Sequence, residues 1–176
     1  MKPLLLHICC GPCSTVVIER LSETYDVTGF FTNDNIFPEE EFARRSEAAV
    51  IAAQRLGIPV IVKPYEHERF TAASLGLEKE PENGARCVEC YLLRLRDTAR
   101  YAAGKGFPFI ASTLTVGPRK SAAVIDPVGD KAAAEAGVSF VSGNWKSRDG
   151  FKRSCELARE YGLYRQHYCG CEFSMR

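Results

Sequence analysis

The chain has 176 residues, with 23 Lys and Arg against 22 Asp and Glu and 45% hydrophobic residues. That length predicts one domain, spanning residues 1–176, with a core that needs no covalent staples. The net charge of +1 excludes a uniformly basic polyanion binder and an acidic disordered tail.

In chain order, the apolar run Pro3–Cys9 predicts a first strand, broken by Gly11-Pro12. Ser14 is placed to cap a helix carrying Val16, Val17 and Leu21. Val27–Phe31 predicts a second strand, followed by the turn residues Asn33, Asp34 and Asn35. A helix is expected from Pro38, with Glu39, Glu40 and Glu41 favourable in its first turn, to Leu56, with Gly57 ending it. Ile58–Val62 reads as a third strand, Glu66–Ser74 as a short helix and Gly76–Ala85 as a loop.

Cys87–Ala103 has Leu92, Leu95, Ala99 and Ala102 at helical spacing, with Gly104 as its stop. Phe107–Ala111 predicts a fourth strand and Ser112–Pro118 a loop. Lys120–Ala136 predicts a helix interrupted at Pro127 to Gly129. Val138–Val141 predicts a weaker fifth strand and Asp149–Tyr161 a last helix, with a tail from Gly162 to Arg176. Five strand–helix alternations imply one doubly wound, mainly parallel α/β sheet with flanking helices. In such sheets ligands bind beyond the carboxyl ends of the strands. That edge carries Cys9, Cys10 and Cys13 after the first strand, Asp34 and Asn35 after the second, and Ser112, Thr113 and Thr115 after the fourth.

Cysteine is the outlier, with eight in the chain. No secretory leader is visible, and no run approaches the roughly 20 apolar residues of a membrane span. The expectation is a soluble, cytoplasmic chain whose thiols stay reduced. Seven cysteines fall in three groups: Cys9, Cys10 and Cys13; Cys87 and Cys90; Cys169 and Cys171. Thiolates suit zinc and iron–sulfur clusters. Either a structural zinc or one [4Fe–4S] cluster takes four, which leaves three for a further metal or redox centre. Cys155, between Ser154 and Leu157 in the last helix, is expected to pack. Two rival readings use the same residues: a zinc-stabilised RNA-binding module, and a thiol-disulfide oxidoreductase built on Cys87/Cys90 or Cys169/Cys171. A nucleotide-dependent enzyme is disfavoured, because no G-x-x-x-x-G-K-[ST] run occurs.

The motifs together resemble a known family. They are HICCGPCS at His7–Ser14; Asn35-Ile36-Phe37-Pro38 with Glu41, Phe42 and Arg45; Arg86-Cys87-Val88-Glu89-Cys90-Tyr91 with Arg94-Leu95 and Thr98-Ala99; Ser112-Thr113-Leu114 with Pro118 and Lys120; and Tyr164-Arg165-Gln166 leading to Tyr168-Cys169-Gly170-Cys171 and Phe173-Ser174. The chain resembles the cobalamin-independent epoxyqueuosine reductases, the QueH family. That resemblance implies a fold similar to the nucleotide α-hydrolase-like (HUP) domains. It implies two-electron removal of the epoxide oxygen of epoxyqueuosine at the tRNA wobble position, the last step of queuosine formation. It further implies a [4Fe–4S] cluster beside a second iron, no flavin or cobalamin, an external electron donor and no membrane.

Carried over by position, the resemblance assigns the cluster to Cys9, Cys10, Cys87 and Cys90. It assigns Cys13, Cys169 and Cys171 to the second iron, with a redox disulfide between Cys169 and Cys171 as the competing view. Tyr91, Tyr168 and His167 become candidates for proton donation or substrate contact. Asp34, Asn35, Ser112, Thr113 and Arg165 become candidates for holding substrate, and His7 reads as a hydrogen-bonded core histidine.

Charge agrees with a polyanionic partner. Residues 1–85 carry 8 Lys and Arg against 13 Asp and Glu, and residues 86–176 carry 15 against 9. The second half supplies Arg86, Arg94, Arg96, Arg119, Lys120, Arg148, Lys152, Arg153 and Arg165 for tRNA phosphates, with Phe151, Tyr164 and Tyr168 available to stack on bases.

Overall fold

A computed structural model describes residues 1–175, so the predicted tail's last residue, Arg176, lies outside the described residues. The strands are β1 (Lys2–His7), β2 (Tyr25–Phe31), β3 (Val60–Val62), β4 (Phe109–Ser112) and β5 (Ser139–Phe140). The helices are α1 (Gly11–Leu21), α2 (Glu39–Arg55), α3 (His67–Ala73), α4 (Ala85–Lys105), α5 (Ala122–Ala136) and α6 (Gly150–Glu160). All pairings are parallel, in the order β3-β2-β1-β4-β5. The predicted parallel sheet is therefore the observed one.

β1 reads as an unbroken apolar run because both of its faces are covered. Leu4, Leu6 and Ile8 pack with Val16, Val17 and Ile18 of α1 and with Phe42 and Ala49 of α2. Leu5 points the other way, into Leu92, Leu95 and Ala99 of α4 and Ile125, Val128 and Ala132 of α5. Leu4, Leu5 and Leu6 are fully buried, each stabilising the fold by about 1.5–3 kcal/mol relative to an exposed side chain. Among the described residues no helix is long and apolar enough to cross a membrane.

Several boundaries differ by a residue or two, and four differences have a plain physical reason. The first helix begins at Gly11, not after Ser14: Pro12 occupies its first turn, where the missing N–H costs nothing, and Cys10 is the N-cap. The third strand starts only at Val60, because Pro59 has no N–H to give to the ladder. α4 runs through Gly104 and stops at Gly106, whose φ of +78° supplies the left-handed cap. α5 is continuous through Pro127, because Ile125, Val128, Ala132 and Ala133 bury enough surface to hold the helix despite one absent hydrogen bond.

Candidate active site

The chain leaves β1 toward β2 and β3 on one side, and returns through β4 to β5 on the other. The loops after β1 and β4 therefore diverge, and a crevice opens at their carboxyl ends. Its floor is a buried polar network. His7 Nε2 faces Asn33 Oδ1 at 3.2 Å and its Nδ1 faces Ser112 Oγ at 2.9 Å. Asn33 Nδ2 donates to the Ile8 carbonyl, which leaves Oδ1 as acceptor for the imidazole. So His7 donates from Nε2 and accepts from Ser112, and it stays neutral: burial, then the charge of Arg94, brings its pKa down to about 4.

The sulfurs stand on this floor. The Cys9 N–H donates to Thr113 Oγ1 (3.0 Å), and the Thr113 hydroxyl donates to Cys9 Sγ (3.2 Å). Cys10 Sγ accepts from the Cys13 N–H at 3.4 Å, because capping α1 turns that sulfur into the first helical turn. The sulfurs of Cys9, Cys10 and Cys13 lie within 4.8 Å of one another, and they form the one such group among the described residues. Hydrogen bonds from Cys10 and Cys13 hold the Cys9 thiol well below its usual value, while the hydrogen bonds to Cys10 and Cys9 push Cys13 well above it.

The first turn of α4 brings Cys87 and Cys90. Cys87 Sγ accepts from the Asn83 N–H at 3.2 Å, and buried Cys90 Sγ accepts from Arg94 Nη2 at 3.3 Å. Cys90 packs with Phe70 and Cys171. Burial raises its pKa to about 11, with Arg94 pulling down and Cys169 and Cys171 pushing up. Cys169 accepts from Lys120 Nζ at 3.1 Å. All eight thiols are free, and Cys155 is half-buried on α6 outside the grouping.

The tail that carries Cys169 and Cys171 is tied down across the crevice. Arg45 of α2 donates to the carbonyls of Cys169 (2.7 Å) and Tyr168 (3.0 Å), and to Glu41 Oε1 (2.7 Å). The Tyr164 hydroxyl donates to Glu41, and the Tyr168 hydroxyl to the Phe37 carbonyl. Gly170 has φ of +150°, and a Cβ there would meet Asn35 Nδ2 at 3.0 Å, so only glycine fits between the two cysteines. Burial opposes ionisation of Glu41, but hydrogen bonds from Arg45 and Tyr164 hold its pKa below the ordinary value.

Between tail and sheet lies a cavity of about 290 Å³. Cys9, Cys13 and Cys169 line it, with Asn35, Arg94, Lys120, Gln166 and Tyr168. Two buried acceptors of its wall, Asn35 Oδ1 and Gln166 Oε1, have no protein partner.

The structure distributes the predicted residues as follows. Cys9, Cys10 and Cys13 come together as one group, so position 13 sits with the first pair. Asn35 lines the cavity, but Asp34 does not: its carboxylate accepts from Arg69 (2.6 Å) and Lys63 (3.3 Å) and anchors α3. Ser112 and Thr113 hold His7 and Cys9. Tyr91 is buried, with its hydroxyl accepting from Lys120 Nζ at 3.2 Å. The hydroxyls of Tyr164 and Tyr168 are committed within the protein. Arg165 is exposed and His167 is an exposed cavity residue. Within the expected basic pool, Arg94 and Arg86 are buried; Arg86 donates to the carbonyls of Leu77, Glu78 and Glu80. Arg96 and Arg153 are paired with Glu135 and Glu19.

Sequence reasoning gave no individual role to Gln166 or Arg45, and placed Lys120 only among the tRNA-facing cations. Arg45 sits four residues after Glu41, the spacing of a helical ion pair, and that was the available signal.

A family model described as epoxyqueuosine reductase QueH matches residues 4–176. Among curated proteins, the epoxyqueuosine reductase QueH of Haemophilus influenzae is 37% identical, covering 98% of this chain and 71% of that protein. The one from Streptococcus pyogenes serotype M1 is 34% identical, covering 98% and 70%. The one from Thermotoga maritima is 30% identical, covering 99% and 91%. Among solved structures, the U34-tRNA thiolase NcsA of Methanococcus maripaludis with its [4Fe-4S] cluster superposes with a TM-score of 0.63 at 15% identity, over 99% of this chain and 62% of that one. A predicted subunit of tRNA methyltransferase from Methanocaldococcus jannaschii gives a TM-score of 0.60 at 15% identity, over 91% and 75%. At that identity the two structures speak for the fold alone.

Proposed function

The chain belongs to the epoxyqueuosine reductase QueH family, and from that premise we propose how its crevice removes the epoxide oxygen of epoxyqueuosine in tRNA. The net reaction takes two electrons and two protons: both C–O bonds of the epoxide break, a carbon–carbon double bond forms, and the oxygen leaves as water. The observation that carries the reading is the meeting of Cys9 and Cys13, grouped with Cys10, and Cys169 around one cavity at the sheet's switch point.

The donor set fits iron–sulfur chemistry. The thiols are free, Cys9, Cys10 and Cys13 form one group, Cys90 packs on Cys171, and Cys9, Cys87, Cys90 and Cys169 each accept a hydrogen bond at sulfur. Cys9, Cys10, Cys87 and Cys90 would hold the [4Fe–4S] cluster, and Cys13, Cys169 and Cys171 a second iron. The two sets interleave, since Cys13 lies with Cys9 and Cys10 while Cys90 lies with Cys171. When bound, these centres supply electrons singly and a Lewis-acidic position for oxygen. No flavin or cobalamin enters the scheme, and an external donor provides the electrons.

The chain's own groups do the rest. Lys120 Nζ, on the cavity wall, keeps its proton: burial opposes the charge, but Cys169 and Tyr91 beside it outweigh burial. Its fixed positive charge stands beside Cys169 on the cavity wall, where it would offset negative charge developing on the departing oxygen. Asn35 Oδ1 and Gln166 Oε1 receive donors from the substrate's hydroxyl-bearing ring, which removes the cost of two orphaned acceptors. Exposed Arg119, Arg148, Lys152 and Arg165 contact tRNA phosphates, and Phe151, 39% exposed, offers a stacking face. The setting is the cytoplasm, where tRNA is modified and thiols stay reduced. The test is anaerobic incubation of reduced protein with tRNA bearing epoxyqueuosine, read by nucleoside mass. Zinc at one per chain in place of iron would instead support an RNA-binding module.

A further inference from the structure

Several strongly held cations in this chain face a carboxylate. Arg45 faces Glu41, Arg69 faces Asp97 and Asp34, and Arg96 faces Glu135. Two do not. Arg94, 4% exposed, donates to the Cys90 carbonyl (3.2 Å), Asn33 Oδ1 (3.3 Å) and Cys90 Sγ (3.3 Å). Lys120 donates to Cys169 Sγ (3.1 Å) and the Tyr91 hydroxyl (3.2 Å). Among the described residues neither has a carboxylate within ion-pair distance. Both stand over the Tyr91 ring, at 5.7 and 5.3 Å from its centroid, so they flank one aromatic plate beside the sulfurs.

An unpaired charge in a protein interior is costly, and it persists where a partner balances it. The groups that face these cations are thiols. A thiolate-held iron–sulfur cluster is negatively charged, and reduction makes it more so. We propose that Arg94 and Lys120 are the built-in counterions of the sulfur-ligated centre, and that their charge raises its reduction potential so that a modest donor can load it. The inference rests on the reading that Cys9, Cys10, Cys87 and Cys90 hold an iron–sulfur centre. It adds a residue-level account of how that centre is tuned. It also reassigns Arg94 and Lys120 from the tRNA-binding pool. Arg86, the other deeply buried arginine of α4, differs because three carbonyls and the Phe173 ring surround it.

The test is an anaerobic redox titration of the iron-loaded protein with dithionite and mediator dyes, followed by absorbance and electron paramagnetic resonance. Arg94→Gln and Lys120→Met remove charge; Arg94→Lys and Lys120→Arg keep it. At a fixed ambient potential each neutral variant is expected to show a roughly tenfold lower ratio of reduced to oxidised centre, which is about 59 mV for one electron. The charge-keeping variants stay within about threefold of the parent (tenfold being one decade). Loss of the centre in a neutral variant, with retention in its charged counterpart, also supports the proposal. Unchanged ratios in all four variants overturn it, as does an equal fall or loss in the neutral and charged members of both pairs, since that reports packing and not charge. A parent protein that reconstitutes no iron–sulfur centre overturns the underlying reading itself, which separates the two failures.

Discussion

Arg45 on α2 donates from Nη1 to the carbonyl of Cys169 at 2.7 Å, across 124 residues of sequence. The other edge of the same guanidinium is held by Glu41 at 2.7 Å, and both side chains are 2% exposed. A helix of the first half therefore sets the position of a sulfur carried by the tail. Truncation removes one partner of Glu41, leaving Arg44 and Tyr164, and unpairs the two tail carbonyls, a defect that costs about 1–3 kcal/mol. Arg45→Met is expected to lower the denaturation midpoint and to reduce bound iron, while Arg45→Lys restores part of both. Elemental analysis beside urea denaturation checks this, and an unchanged iron content would detach Arg45 from the centre.

The proposed substrate contacts of Asn35 and Gln166 predict an effect on binding. Both residues line the cavity, and Asn35 Oδ1 and Gln166 Oε1 are buried without a partner, so a substrate donor that reaches them gains a hydrogen bond at each. Asn35→Ala and Gln166→Ala are expected to raise KM about 5- to 10-fold, as a lost hydrogen bond of about 1–1.5 kcal/mol requires. The effect on kcat should be smaller. Steady-state kinetics with epoxyqueuosine tRNA decide it, and a fall in kcat at constant KM would assign these residues to chemistry.

The sequence was a good guide wherever one face or one spacing dictated the outcome. The five strands and their parallel pairing followed from short apolar runs alternating with helices, since a strand covered on both faces has no polar side to misplace, whereas the strand order came only with the structure. The cysteine groups were visible because their spacing is local. Lys120 was not legible as a neighbour of Cys169: 49 residues separate them, and only the docking of the tail joins them. Arg94 looked like one more surface cation because charge in a sequence carries no burial. Asp34 looked like a ligand contact because its position is at the functional edge, whereas Arg69 and Lys63 claim its carboxylate.

That acidic cluster makes a pH prediction. Burial pushes the Asp97 carboxyl up, but hydrogen bonds and charge from Arg69 and Lys63 prevail and hold its pKa below the ordinary aspartate value of 3.8. A depressed folded-state pKa contributes stability that is complete above the unfolded value and is lost as pH falls through the folded one. Stability conferred by Asp97 is therefore constant at neutral pH and declines only in acid, below about pH 4. Asp97→Asn should be less stable than the parent near neutrality, with the gap narrowing in acid. Urea denaturation across that range measures it; a gap independent of pH would contradict the ion-pair account.

Binding of tRNA should weaken steeply with salt if Arg119, Arg148, Lys152 and Arg165 neutralise phosphates. Each charge removed is expected to reduce the slope of log affinity against log salt by about 0.7–0.9. Filter binding at several salt concentrations reads this directly. Arg153, already paired with Glu19 at 2.8 Å, serves as the control whose removal leaves the slope nearly unchanged.

The central claim is that the cysteine-lined cavity performs reductive removal of the epoxide oxygen. Its most direct test is a single-turnover reaction under strict anaerobiosis. Iron-reconstituted, reduced protein in excess is mixed with tRNA carrying epoxyqueuosine, and the digested nucleosides are weighed by mass spectrometry. The predicted result is queuosine, lighter by one oxygen atom, formed by the parent and abolished in Cys13→Ser and Cys169→Ser. Unchanged epoxyqueuosine in the presence of a reduced iron–sulfur centre and bound tRNA would contradict the account.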